Sequence, residues 1–241
     1  PVAKGPGVLN YLRKRGFGFL LVTNTSRMSQ SQIRDKLTDL GYQIGLDEIF
    51  PVSLAAVEYL RSRFGHARCF LIGDPSLETL LTDSGHSVVR HETPVDAVVM
   101  GQCMWPDFGE IDIARRLVNE GAEPIALHRD PTWPDGSVTR IGLGPMVAAL
   151  ELVISQPVML IGKPERTFFD AALARTGFER SQTVMIGDSL SSDIAGGINA
   201  GLKSLLVRTG NSISDPIPPG CDGELPSIAD LPEWCEAQLD C

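Results

Sequence analysis

No apolar run in this sequence approaches the roughly 18–20 residues that a membrane helix needs, and no secretory leader is visible. Cysteines are few. Cys69, Cys103, Cys221, Cys235 and Cys241 are odd in number and show no CxxC spacing, which leaves no legible disulfide framework or thiolate metal site. A reducing, cytoplasmic setting fits such a set, and Cys69, inside an apolar run, reads as core. Basic residues are scarce too: 21 Lys and Arg face 30 Asp and Glu, for a formal net charge of −9. No cluster of them marks any predicted face. Nucleic acid and anionic membranes are therefore excluded as main partners, while a locally positive site for a small anion remains open. Internal repeats, low-complexity tracts and a compositional linker are missing as well.

What is present is an alternation of short apolar runs with helical periodicities. The spacing predicts a helix over Pro6–Lys14 and a strand over Phe17–Val22. A second helix runs to Leu40, capped by Ser29 or Ser31, and is followed by a strand at Ile49–Pro51. Ser53 is expected to cap a helix over Leu54–Arg63. Strands follow at Arg68–Ile72, Ser87–Arg90, Ala97–Met100 and Pro124–Leu127, with helices at Ser76–Ser84 and Phe108–Asn119. His128–Gly144, rich in Pro, Gly, Asp and Trp, reads as a loop or hairpin before a helix over Met146–Ile154. The last third predicts strands at Val158–Ile161, Thr183–Ile186 and Ser204–Val207. Its helices are Thr167–Thr176, Ser192–Ala200 and a final one near Leu231–Gln238, beyond a Pro-rich tail that begins at Asn211. Strands alternating with helices imply a parallel sheet covered on both sides.

Ligands of open parallel sheets bind beyond the carboxyl ends of the strands, and three such ends carry chemistry. Phe17–Val22 runs into Thr23-Asn24, where a hydroxyl and free amides before a helix suit phosphate oxygens; the alternative is a polar turn that caps the next helix. Val158–Ile161 ends in Gly162-Lys163-Pro164. A lysine fixed there neutralises phosphate charge, although without the glycine spacing and Ser/Thr of a P-loop; the alternative is an exposed surface lysine. Thr183–Ile186 ends in Gly187-Asp188, with Asp193 at the start of the following helix. Two carboxylates converging there suit a hard, oxygen-preferring ion such as Mg²⁺; alternatively both are helix caps. Hydroxyl, lysine and paired carboxylates, in that chain order and each at a strand end, are more specific together than apart. One parallel sheet would bring them to one edge.

In these residues the chain resembles the haloacid-dehalogenase (HAD) superfamily, specifically its class IIA, NagD-like or p-nitrophenylphosphatase-like branch. Val22-Thr23-Asn24 resembles the family's second motif and Ile161-Gly162-Lys163-Pro164 its third. Val184–Asp188, continuing to Asp193-Ile194 and Ala200-Gly201, resembles its fourth, and Val207–Gly210 its usual close. The likeness spans nearly the whole chain. It implies an α/β fold: a HAD-like Rossmannoid core over residues 1–62 and 157–241, with an inserted α/β cap over 63–156 that closes over the active site and favours small substrates. It also implies a Mg²⁺-dependent phosphatase acting on a small phosphorylated metabolite. In it Thr23 and the Asn24 backbone bind phosphate, Lys163 stabilises charge at phosphorus, and Asp188 and Asp193 hold the metal, Asp193 either directly or through water. His128-Arg129-Asp130 falls in the cap stretch where relatives carry substrate-facing residues, so His128 and Asp130 are candidates there, against an ordinary polar loop. Trp105 and Trp133 line the entrance or pack the cap; His66, His86 and His91 read as surface. Oligomeric state stays open, with pairing of two copies through the cap compatible with the resemblance.

One departure matters. The family's nucleophile, the first aspartate of an Asp-x-Asp motif on the central strand, has no counterpart here. Asp74, in Ile72-Gly73-Asp74, falls in the predicted cap and reads as a helix cap. The chain opens at Pro1 rather than at Met, and Pro1–Gly5 resembles the segment just before the family's first core helix. The expectation is a natural protein that begins earlier and carries the motif; a non-catalytic phosphate-binding relative is the alternative.

Overall fold

The computed structural model describes residues 4–105, 107–210 and 214–239. Pro1–Ala3, Asn211 and Cys241 lie outside them, and with them the readings of the chain's opening, of where the Pro-rich tail starts and of the fifth cysteine.

Along the chain the elements are α1 (Gly5–Lys14), β1 (Leu21–Thr23), α2 (Gln30–Asp39), β2 (Ile49–Pro51), α3 (Val52–Phe64), β3 (Arg68–Ile72) and α4 (Pro75–Asp83). Next come β4 (Ser87–Val89), β5 (Ala97–Met100), α5 (Phe108–Asn119), β6 (Glu123–Ala126), the hairpin β7 (Thr132–Asp135) and β8 (Val138–Ile141), α6 (Gly144–Glu151) and β9 (Met159–Leu160). The last are α7 (Arg166–Thr176), β10 (Val184–Gly187), a π-helical turn (Leu190–Ile194), α8 (Ala195–Asn199), β11 (Lys203–Val207), β12 (Gly223–Leu225) and α9 (Leu231–Leu239). No helix among the described residues is long and apolar enough to cross a membrane.

Two compact units result. The first gathers the chain up to Val22, Gln30–Phe50 and everything from Lys163 onward; the second holds Thr23–Ser29 and Pro51–Gly162. The seams thus fall at Val22/Thr23, Ser29/Gln30, Phe50/Pro51 and Gly162/Lys163. Helix α3 goes with the second unit because it packs on α4, and β9 because it pairs with β6.

The second unit is built on a five-stranded parallel sheet in the order β4-β3-β5-β6-β9. Its central strands read as continuous apolar runs because both faces are covered: Cys69–Ile72, Ala97–Met100 and Ile125–Ala126 are all buried. Leu60, Leu77, Leu81 and Leu117 pack from the helices, each burial contributing about 1.5–3 kcal/mol. Burial also pushes the Cys69 thiol up to about 12, leaving an unreactive core side chain. In the first unit β10, β11 and β12 form a parallel sheet, β1 pairs with β2, and Val8, Val207, Leu225 and Leu231 make a core with Leu12 and Trp234 against it.

Several expectations change. The strand ends carrying Thr23, Lys163 and Asp188 do not share one sheet: β1, β9 and β10 belong to three different ones. Ladder partners lie far off in sequence, and run length does not name them. Phe17–Val22 forms strand only from Leu21. Ser53 is no cap. Helix α3 starts at Val52 with Pro51 in the capping position, and the Ser53 hydroxyl is buried without a partner. Asp74 does cap α4, accepting from the Ser76 amide at 3.1 Å. Strand β12 has no counterpart among the predicted elements; its pairing with β11 creates it.

His86 is not a surface residue. It is only 4% exposed, and its Nδ1 accepts from the Ala67 amide at 3.2 Å. Burial first, and Arg61 next, push its imidazole below the ordinary 6.5. The unfolded chain then binds the proton more readily, so this contribution to stability is complete above about pH 6.5 and is lost as pH falls toward the folded value. Glu92, Asp112 and Glu151 are held low by Arg116, Arg115 and Arg129 respectively, and titrate in a more acid window. Between pH 7.5 and 5.5, melting curves of His86→Gln are expected to lose about 2 °C less than the wild type. Equal losses would remove His86 as the cause.

Candidate active site

In the first unit, β10 delivers Gly187-Asp188 to its carboxyl end, and the chain turns at once into the π-helical segment. Ser189 caps that turn: its carbonyl accepts from the amides of Asp193 and Ile194 at 2.9 and 3.1 Å. Asp193 is thereby folded back on the strand tip, 5% exposed, inside a π-turn rather than at the start of an α-helix. Its Oδ2 accepts from the amides of Asp188 and Ser189, each at 3.2 Å, and its Oδ1 accepts from Lys163 Nζ at 2.6 Å. Gly187 is required for this approach, since a Cβ there would run into the Asp193 carboxylate.

The Lys163–Asp193 pair is almost dry, with side-chain exposures of 11% and 7%. Burying two charges is costly, and a pair survives only where further hydrogen bonds satisfy the remaining lone pairs; here the two backbone amides do so. Lys163 is thus a positioned cation rather than a surface lysine. The Asp188 carboxylate lies against Gly210, where a Cβ would overlap it. Gly210 was legible only as the last residue of a family-like close; its closeness to Asp188 depends on β10 pairing with β11.

In the second unit, the Thr23 hydroxyl accepts from the Thr25 amide at 3.1 Å and donates to the Thr25 hydroxyl at 3.0 Å. Asn24 is buried, and its Nδ2 donates to Asp130 Oδ2 at 3.3 Å. That oxygen is 3.1 Å from His128 Nδ1, and the Asp130 amide donates to the same ring nitrogen at 3.3 Å. A Cβ on Gly162, the residue before Lys163, would come within 2.6 Å of Asn24 Oδ1. The structure therefore gathers Thr23, Asn24, His128 and Asp130, which lie about a hundred residues apart in sequence. His128, 4% exposed, is no ordinary loop residue. Trp133 stacks under Arg27, whose guanidinium carbon is 4.4 Å from the ring centre, and Trp105 is 79% exposed. His66 and His91 are exposed.

The first unit thus carries a buried lysine–aspartate pair and a second carboxylate at its strand ends, and the second unit a hydroxyl–amide loop after β1. Residues 1–87 match the haloacid dehalogenase-like hydrolase family, and residues 160–223 match the HAD-hydrolase-like family. The chain is 31% identical over 209 residues to an acid sugar phosphatase of Staphylococcus epidermidis, covering 87% of this chain and 80% of that one. Its fold superposes on an NPPase from Geobacillus stearothermophilus with a TM-score of 0.87 at 27% identity, covering 95% and 93% of the two chains. A glycerol phosphate phosphatase from Mycobacterium tuberculosis, solved in complex with calcium, gives 0.79 at 30% identity, with 88% of this chain and 62% of that one covered. This chain belongs to the haloacid-dehalogenase-like hydrolases, in their class IIA, NagD-like and p-nitrophenylphosphatase-like branch of phosphoric monoester hydrolases.

Proposed function

We propose that the protein is a Mg²⁺-dependent phosphatase that hydrolyses small-molecule phosphomonoesters through an aspartyl-phosphate intermediate. The observation that carries this is the Lys163–Asp193 pair pinned by the Asp188 and Ser189 amides. It presents a rigid cation whose orientation costs nothing to arrange when charge develops at phosphorus. Thr23 and the Asn24 backbone bind phosphate oxygens.

The residues suit a divalent ion. Asp188 offers hard carboxylate oxygen, and a glycine at position 210 is what lets that carboxylate lie against the backbone there. A calcium complex of a relative is in keeping with this. Asp188 would hold Mg²⁺ directly. Both oxygens of Asp193 already accept hydrogen bonds, so Asp193 would reach the ion through water. When bound, the ion supplies charge neutralisation on the phosphate. The aspartyl-phosphate route calls for a nucleophilic aspartate of the Asp-x-Asp kind, a pair that the 241 residues do not contain.

The substrate we propose is a small phosphorylated metabolite, with residues 63–156 as the substrate-facing cap and His128 and Asp130 contributing from it. The free thiols of Cys69, Cys103, Cys221 and Cys235 favour a cytoplasmic setting. The test is turnover on a panel of sugar, glycerol, nucleoside and aryl phosphates. Activity is expected with Mg²⁺ and should fall at least about tenfold in excess chelator. Inorganic phosphate bound without turnover of any panel member would replace the phosphatase with a phosphate-binding protein.

A further inference from the structure

The five-stranded sheet of the second unit contains a crevice that the chain itself occupies. From β3 the chain passes to β4 on one side and then crosses to β5 on the other, so the strand order reverses between β3 and β5. Open parallel sheets bind their ligands beyond the carboxyl ends of the strands at such a reversal. Here the crevice is bounded by Gly73-Asp74 after β3 and Gly101-Gln102 after β5. It holds Ser26 and Arg27, from the loop that follows Thr23-Asn24. Ser26 is 2% exposed, and its Oγ accepts from the Gln102 amide at 2.9 Å. A Cβ on Gly101 would come within 3.5 Å of that oxygen and within 2.6 Å of Leu77. Ser76 Oγ lies 2.8 Å from the Arg27 carbonyl oxygen and 2.6 Å from Asp74 Oδ1, so its one proton is shared between the two acceptors. The Arg27 guanidinium lies between the Trp133 ring and Asp74, with Nε 3.7 Å from Oδ2.

The loop is therefore tied along the carboxyl edge of the sheet strand by strand. Asn24 sits at the ends of β6 and β9, against Asp130 and Gly162; Ser26 sits at the end of β5, and Arg27 at the end of β3. We propose that this seat is a positioning device for phosphate binding, with Ser26 and the Arg27–Asp74 pair as positioning residues. They hold Thr23 and Asn24 in the backbone conformation that presents hydroxyl and amide to the phosphate. The inference rests on the phosphate role proposed above for those two residues. Its physical basis is preorganisation: a loop held in its bound shape by partners outside the site loses no further conformational freedom when the anion arrives, whereas an untied loop must be ordered at the cost of affinity.

The test uses the full chain with Ser26→Ala, which removes the acceptor for the Gln102 amide, and Asp74→Asn, which keeps the α4 cap and the Ser76 contact but weakens the hold on Arg27. Calorimetric binding of inorganic phosphate in Mg²⁺ is measured alongside KM and kcat for an aryl phosphate, the Mg²⁺ activation constant and the melting temperature. Ser26→Ala is expected to bind phosphate about tenfold more weakly and to raise KM by a similar factor, with kcat changed by about threefold or less. Asp74→Asn should weaken phosphate by about threefold, with the Mg²⁺ activation constant unchanged in both variants. Folded variants that bind phosphate with wild-type affinity overturn the positioning role and leave Ser26 a packing residue. Should Ser26→Ala fail to fold, Asp74→Asn decides. A wild type that binds phosphate but turns nothing over defeats the hydrolytic reading alone, and the calorimetric comparison still decides for or against the seat. A wild type that binds no phosphate defeats both.

Discussion

Lys163→Met is expected to damage both the fold and the chemistry. The lysine is one half of a pair whose side chains are 11% and 7% exposed. Removing it strands the Asp193 carboxylate in a dry site, held by the amides of Asp188 and Ser189. Breaking a buried pair from one side typically costs about 3–5 kcal/mol. The surviving amide bonds argue for the lower end, about 3 kcal/mol, to be read from the shift in urea denaturation midpoint. Turnover should fall further than stability predicts, by about 10²–10³-fold under conditions where the variant is fully folded, because a preorganised cation at the reacting phosphate is lost. Methionine nearly matches the aliphatic stem in volume, so a cavity is not the cause. A folded Lys163→Met protein with wild-type kcat would show that the pair is structural only.

Asp188→Ala separates the two effects. The carboxylate stands at the strand tip, half-buried, while Asp193 is the carboxylate 2.6 Å from Lys163 Nζ. Stability should change by about 1 kcal/mol or less. Mg²⁺-dependent turnover should drop by about 10³-fold, which corresponds to roughly 4 kcal/mol of barrier. A Mg²⁺ titration of the rate is the direct measurement: the wild type saturates, and the variant stays flat. Unchanged turnover would remove Asp188 from the metal site. Taken together, Lys163→Met loses stability and rate, whereas Asp188→Ala loses rate alone, so the pair of variants distinguishes a positioned cation from a metal ligand without reference to substrate identity.

Much of this arrangement was legible before any coordinates. Apolar runs bounded by turn residues marked β3, β5 and β11, because strands covered on both faces need no alternation. Asp74 two residues before Ser76 marked a helix cap, because that geometry is local. Gly162-Lys163 and Gly187-Asp188 stood out because a glycine at a strand tip followed by a charge is seldom a packing choice. Other features were hidden. Ser53 looked like a cap, yet Pro51 begins the helix earlier and leaves the serine inside it. His86 looked like surface, since nothing beside it in sequence foretells that Ala67 donates to its ring. Ser26 carried no signal of its own, since its hydroxyl is paired with an amide 76 positions away.

By itself, the sequence determined the α/β class, the positions of most helices and strands, and the residue types at three strand ends. Those properties follow from periodicity, capping and turn chemistry, which act over a few residues. Only the tertiary structure decided which strands share a sheet, that Asp193 is consumed in holding Lys163, that Asn24 meets Asp130, and that the loop after Thr23-Asn24 is seated in the crevice of the second unit. The last three depend on hydrogen bonds between groups 30 to 106 residues apart. Such pairings are selected by burial and by the need to satisfy every buried donor and acceptor, and no local pattern encodes that selection.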